Sequence, residues 1–331
     1  MRLIATLLAV IAVTPVFAAD KLVVYTARNE QLIKPLFDAY TQETGTTVEF
    51  LTDKEAPLLA RLEAEGKSTP ADVLVTVDAG NLWLAAEKGL LAPLDSKTLT
   101  SNIPAHLRDP QNRWFGLSVR ARTVIYNPAQ MKPEQLSTYA ALAEPEFKGK
   151  LCLRSSKKVY NQSLTAVMLA ELGAEKTETI VRGWVANLAA DPFASDDEVI
   201  QAVAAGRCAV GIVNTYYFGR LKRAQPELSV ELYWPNQAAG ESGVHINVSG
   251  AGVTTHAKNP KTAQHFLEWL SAGKAQAMFA SLNLEFPANV AVAADPEVAA
   301  WGAFRQDVIN VNEAGRLQVE AVKLMDRAGW K

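Results

Sequence analysis

Two β-type stretches stand out for their length, 114–126 (WFGLSVRARTVIY) and 244–253 (VHINVSGAGV), and the first is longer than a single strand usually needs. They bracket a run of alternating strand and helix patterns, and another such run precedes them. A chain that leaves one α/β lobe along a long strand and returns along another folds as two lobes joined by two hinge strands. With no internal repeat or low-complexity linker between them, the lobes are expected to meet across a cleft.

The first run reads as strand 22–26, a helix with Ile33, Leu36, Phe37 and Tyr40 on one face closed by Gly45, strand 48–51, helix 55–65 stopped by Gly66, strand 72–77 and helix 80–88 stopped by Gly89. The second reads as strand 150–154, helices 160–172, 177–188 and 196–205, strand 208–213 and helix 216–223. Strand 229–233 follows, and helix 261–270 comes after the second long stretch. Continuous apolar strands alternating with helices predict an α/β fold in which each lobe is a mainly parallel sheet covered on both faces. The expected division is 19–118 in the first lobe and 119–243 in the second. Residues 244–290 return through the hinge to the first lobe, and a helical segment, 291–331, packs on the second.

Residues 1–18 read apart from the rest: Arg2, an apolar run from Leu3 to Val13, Pro15 and a small-residue ending at Ala18. This predicts a secretory signal peptide cleaved near Ala19, hence an exported, soluble protein. The run is too short to span a bilayer. No cysteine stands at the cleavage point, so no lipid anchor is expected. The 33 basic residues against 35 acidic ones give a net charge of −2, which argues against a nucleic-acid partner.

Two cysteines, Cys152 and Cys208, remain for an oxidising compartment, where a bridge is expected over two separately buried thiols. Cys152 precedes Tyr160 by eight residues and Cys208 precedes Tyr216 by eight. If strands 150–154 and 208–213 are parallel neighbours, the cysteines lie level and so do the tyrosines, at the strand ends where open α/β sheets bind ligands. Tyr216 and its neighbour Tyr217 would diverge by about 100° on a regular helix. They can face one ligand only at a helix start, with Asn214 or Thr215 as N-cap. A helix N-terminus also favours phenolate over phenol, and phenolates gathered together call for a hard cation such as Fe3+. On the residues alone, such a tyrosine pair is more often a half-buried packing element or a sugar-stacking platform than a metal site.

The segments PADVLVTVDAGNLW (70–83), VRARTVIYNP (119–128), KKVYNQSL (157–164), GIVNTYYFGR (211–220) and HINVSGAGVTTHAKNP (245–260) together resemble the periplasmic ferric-ion-binding proteins, solute-binding subunits of ABC iron importers. The similarity spans nearly the whole chain after the signal segment. It implies the type II periplasmic binding protein fold, with Tyr160, Tyr216 and Tyr217 as Fe3+ ligands. It also implies delivery to an inner-membrane ABC permease, a monomer, and a synergistic anion, carbonate or bicarbonate, held by an arginine. Arg120 matches that arginine best, with Arg122 on the same face of an alternating strand. Many relatives carry a His-Tyr pair in the first loop, whereas this chain has Asn29 and Glu30 after Arg28. The first lobe is then expected to supply either no ligand, the three tyrosines being completed by anion and water, or only Glu30.

Other readings are weaker. His106, His245, His256 and His265 have no zinc-site spacing, and only His245 lies near the return hinge. There is no G-x-S-x-G and no G-x-x-x-x-G-K-[ST], so no enzyme is expected. The alternative on the same fold is a binder of an organic solute, a polyamine, thiamine or a sugar, with the tyrosines stacked on it.

Overall fold

The computed structural model describes residues 21–331, so the expected signal peptide lies outside the described residues. Among the described residues there are nine strands: β1 Lys21–Thr26, β2 Thr47–Thr52, β3 Val73–Thr76, β4 Phe115–Tyr126, β5 Leu151–Cys152, β6 Val210–Asn214, β7 Glu231–Tyr233, β8 Ile246–Val253 and β9 Phe286–Pro287. The helices of the first half are α1 Glu30–Thr44, α2 Glu55–Glu65, α3 Ala79–Glu87 and α4 Lys97–Asn102. Then come α5 Val159–Leu172, α6 Ala174–Ala186, α7 Asp196–Ala204, α8 Thr215–Ala224, α9 Pro260–Leu270, α10 Gly273–Asn283, α11 Pro296–Ala299, α12 Asn312–Arg316 and α13 Gln318–Arg327.

Local chemistry explains the boundaries. The Asn29 side chain accepts from the Gln31 amide to start α1, and Gly45, at φ 77°, ends it in the left-handed region where glycine carries no steric cost. Between these caps Ile33, Leu36, Phe37 and Tyr40 are buried. The four residues of β3 are all buried, as a strand covered on both faces requires.

The strand order is β2-β1-β3-β8-β4-β6-β5. The outer pairs β1–β2, β1–β3 and β5–β6 are parallel, whereas β4 and β8 run antiparallel to their neighbours. The long strand β4 belongs to both lobes. Residues Phe115–Ala121 pair with β8, while Arg122–Tyr126 pair with β6. The switch from one half of the sheet to the other therefore falls between Ala121 and Arg122. Burial follows the same division: one cluster packs Leu22, Phe37, Phe115 and Val248, and two others lie on opposite faces of the second half, Val124 in one and Ile125 in the next.

The C-terminal segment touches both lobes. Helix α12 packs against α3 as well as α5, with Gly315 leaving no room for a Cβ against Trp83, and α13 lies on α5 and α6.

Candidate metal centre

Because β5 and β6 are parallel neighbours, the loops that follow them open at the same end of the sheet. Tyr160 stands in the first turn of α5, and Tyr216 and Tyr217 in the first turn of α8. Their side chains line one cavity of about 380 Å³ together with Arg120, Lys158, Arg220, Ser249 and Glu285. From the opposite lobe the loop after β1 adds Arg28 and Asn29, and the start of α2 adds Asp53, Lys54 and Glu55. The Tyr216 and Tyr217 rings lie 4.3 Å apart at 37°, which the start of a helix permits. Asn214 is the N-cap residue, but its side chain bonds Arg122 and the Tyr216 hydroxyl (3.3 Å) and not the helix amides.

Cations surround the rings. The Arg120 guanidinium is 5.5 Å from the Tyr160 centroid, Lys158 Nζ is 4.7 Å from the same ring, and Arg220 is 5.0 Å from that of Tyr216. Arg120 donates to the Val248 carbonyl at 2.9 Å, while its Nε and the buried Ser249 hydroxyl have no protein partner. Those are the donors an anion would use. Among the described residues no three His, Cys, Asp or Glu side chains gather as a metal cluster, and the hard oxygen donors lining this cavity are the three phenols and the carboxylates of Asp53, Glu55 and Glu285.

Burial sets the protonation of the phenols. Desolvation pushes Tyr160 up to about 12, against the opposing pull of Arg120. It raises Tyr216 well above 10, helped by repulsion from Tyr160 and Tyr217. The expected lowering by the α8 N-terminus is thus overturned: in the metal-free cavity the cost of burying a phenolate exceeds what a helix end and a nearby arginine return. Burial works to lower the Arg120 pKa, but attraction from Tyr160 and Tyr216 when ionised, and from Glu285 and Asp78, raises it.

The family model for bacterial extracellular solute-binding proteins matches residues 35–306. The chain belongs to this family. As a solute-binding protein it has the type II periplasmic binding fold, with the cavity between the two halves of the sheet. It is 39% identical over 313 residues to iron uptake protein A1 of a Synechocystis strain, covering 93% of this chain and 86% of that one. It is 28% identical to a Fe(3+)-binding periplasmic protein of Serratia marcescens, covering 94% and 91% of the two. Among solved structures it resembles Trichodesmium IdiA (FutA) in complex with iron and citrate. That likeness has 41% identity and a TM-score of 0.90, and covers 94% of this chain and all of that one.

Within this solute-binding protein several expected placements change. Arg122 does not line the cavity. It is 2% exposed and bonded to Asp196, so alternation along β4 does not carry it to the place of Arg120. The reason is the switch of pairing partner between Ala121 and Arg122, which delivers it beneath the second lobe. Glu30 is exposed at the start of α1 and lines a separate surface depression with Lys34 and Asp38, so it too stays out of the tyrosine cavity.

The cysteines do bridge, with Cα atoms 5.9 Å apart. They are not level, however: Cys152 stands opposite Gly211, and Cys208 reaches it from the turn before β6. Residues not singled out in advance also line the site, Glu285, Ser249, Lys158, Arg220, Asp53 and Glu55. Arg28 had a signal, its place in the loop after the first strand, whereas Glu285 follows α10 with no local pattern to mark it.

Proposed function

We propose that this protein captures ferric ion in the periplasm and delivers it to an inner-membrane ABC permease. The observation that carries the proposal is the convergence of Tyr160, Tyr216 and Tyr217 on one cavity beside Arg120. The relatives' names, iron uptake protein and Fe(3+)-binding periplasmic protein, support the cargo and the compartment. The chain acts as a binder and not as an enzyme, in keeping with its solute-binding family.

Each phenol loses its proton to solvent as its oxygen coordinates, and three phenolates balance the charge of Fe3+. Arg28 is already compensated by Glu285, and among the other lining charges Lys54, Arg120, Lys158 and Arg220 outnumber Asp53 and Glu55, so the loaded cavity stays cationic. A synergistic carbonate or bicarbonate would offset that charge, accepting from Arg120 and Ser249 and filling ferric positions that the tyrosines leave open. A carboxylate anion such as the citrate of the Trichodesmium complex satisfies the same requirement. The same cations disfavour a polyamine as the solute.

The test is a visible absorbance titration of metal-free protein with ferric ion, with and without bicarbonate. A saturable one-to-one tyrosinate-to-iron band that is weakened in Tyr216→Phe and Tyr217→Phe is the expected result. The absence of any band, or a band indifferent to both substitutions, would overturn the proposal.

A further inference from the structure

We infer that Arg122 is a positioning residue for ferric capture, a buried hub that sets the three ligand tyrosines relative to one another without touching the metal. The inference rests on the ferric reading. One guanidinium reaches the segments that carry all three tyrosines. Its Nη2 donates to Asn161 Oδ1 at 2.5 Å, and Asn161 is the residue after Tyr160. Its Nη1 donates to Asn214 Oδ1 at 3.0 Å, and Asn214 is the N-cap residue of the helix that opens with Tyr216 and Tyr217. The same Nη1 donates to Asp196 Oδ2 at 3.0 Å, which in turn accepts from the Asn214 amide at 2.9 Å.

The acceptors pass the constraint on. Asn161 Nδ2 donates to the carbonyls of Arg154 and Ser155 at 2.9 and 3.0 Å, fixing the loop that leads into α5. Asn214 Nδ2 donates to the Tyr216 hydroxyl. The Arg122 carbonyl accepts from the Tyr139 hydroxyl, which holds the hub's own backbone. A planar fork with fixed donor directions can span these acceptors at once, whereas an ammonium at the end of a flexible stem cannot. Loss of the hub would leave each tyrosine on its own element and loosen their mutual placement. Partners that orient metal ligands typically change affinity by about 10- to 100-fold when removed.

The experiment compares wild type with Arg122→Lys, which keeps a buried charge for Asp196 but loses the fork. The readouts are ferric affinity in competition with a chelator, the wavelength and intensity of the tyrosinate-to-iron band, and the melting temperature of the metal-free protein. The expected result is an affinity loss of about 10- to 100-fold with an altered band, in a variant that still melts cooperatively. If the lysine variant does not fold, Asn161→Ala decides by the same readouts, because it removes one arm of the hub and leaves the Asp196 pair in place. A folded variant with lower melting temperature but wild-type affinity and band would overturn the inference, since Arg122 would then be structural only. A wild type that shows no ferric band refutes the ferric reading, and the hub with it, before any substitution is made.

Discussion

Arg28 and Glu285, 257 positions apart, form a buried ion pair at the edge of the tyrosine cavity, with Nη2 to Oε1 at 3.2 Å and both side chains at most 5% exposed. The Ser118 hydroxyl donates to the same carboxylate, so the loop after β1, the hinge strand β4 and the end of α10 are tied at one point. Burial works to raise the Glu285 pKa, but Arg28, Arg120 and Ser118 outweigh it and hold the carboxyl below its ordinary value.

Glu285→Ala is accordingly expected to destabilise the protein by about 3–5 kcal/mol, because it strands a buried guanidinium. The double substitution Arg28→Met, Glu285→Met should cost less than Glu285→Ala alone. Denaturant melts of the metal-free variants check this, and a wild-type midpoint for Glu285→Ala would count against it. The sign with pH follows from the lowered pKa: the pair's contribution is complete above the ordinary glutamate range and is lost as pH falls through the lowered value.

Iron binding should release protons. With Tyr160 pushed up to about 12 and Tyr216 well above 10, both are protonated at neutral pH, so every phenol that coordinates must shed its proton. Affinity then rises with pH by about a factor of 10 per unit for each proton displaced, and iron is lost on acidification. A pH-stat titration counts the protons directly. Uptake of ferric ion without proton release would show that the phenols are not the ligands.

Much of this arrangement was legible from short-range pattern. Gly45 and Gly66 close α1 and α2 where the apolar periodicity ends, and the adjacent tyrosines stand at a helix start because only there can both face one cavity. What failed to show was set by pairing across the sheet. Arg120 and Arg122 alternate identically along β4, yet a change of neighbouring strand between Ala121 and Arg122 sends one to the cavity and the other into a buried network. The equal eight-residue spacings suggested level cysteines, but register places Cys152 opposite Gly211. Glu285 meets Arg28 only through the packing of α10, which no local pattern announces.

The disulfide fastens the two elements that feed the site, since Cys152 ends β5 and Cys208 stands just before β6. With its ends 56 positions apart in sequence, the chain-entropy account gives about 4 kcal/mol. Cys152→Ser with Cys208→Ser is expected to lose about that much stability in denaturant melts of metal-free protein. Wild-type protein treated with a reductant should approach the same midpoint. Unchanged stability in the double variant would mean that the closed loop already holds its structure in the unfolded ensemble.

His245 sits at the return hinge, where its Nε2 and the Ser163 hydroxyl are 3.1 Å apart and Asn247 Nδ2 donates to that same hydroxyl at 2.8 Å. Asn247 also accepts from the Ala79 amide at 3.0 Å, so this cluster links α5 of one lobe to α3 of the other. Burial, with Arg122 nearby, lowers the His245 pKa from 6.5 to about 3, which leaves the ring neutral in the folded protein. An unfolded chain binds the proton more readily, so stability from this residue is complete above pH 6.5 and drains as pH falls toward 3, at about 1.4 kcal/mol per pH unit. His245→Gln removes the titrating group and keeps a polar side chain for Ser163. The loss of stability between pH 7 and pH 4.5 should therefore be smaller in the variant than in wild type, read as the difference between their denaturant midpoints at the two pH values. Equal losses would show that the ring protonates without resistance, and that the hinge does not hold it in the dry, neutral state described here.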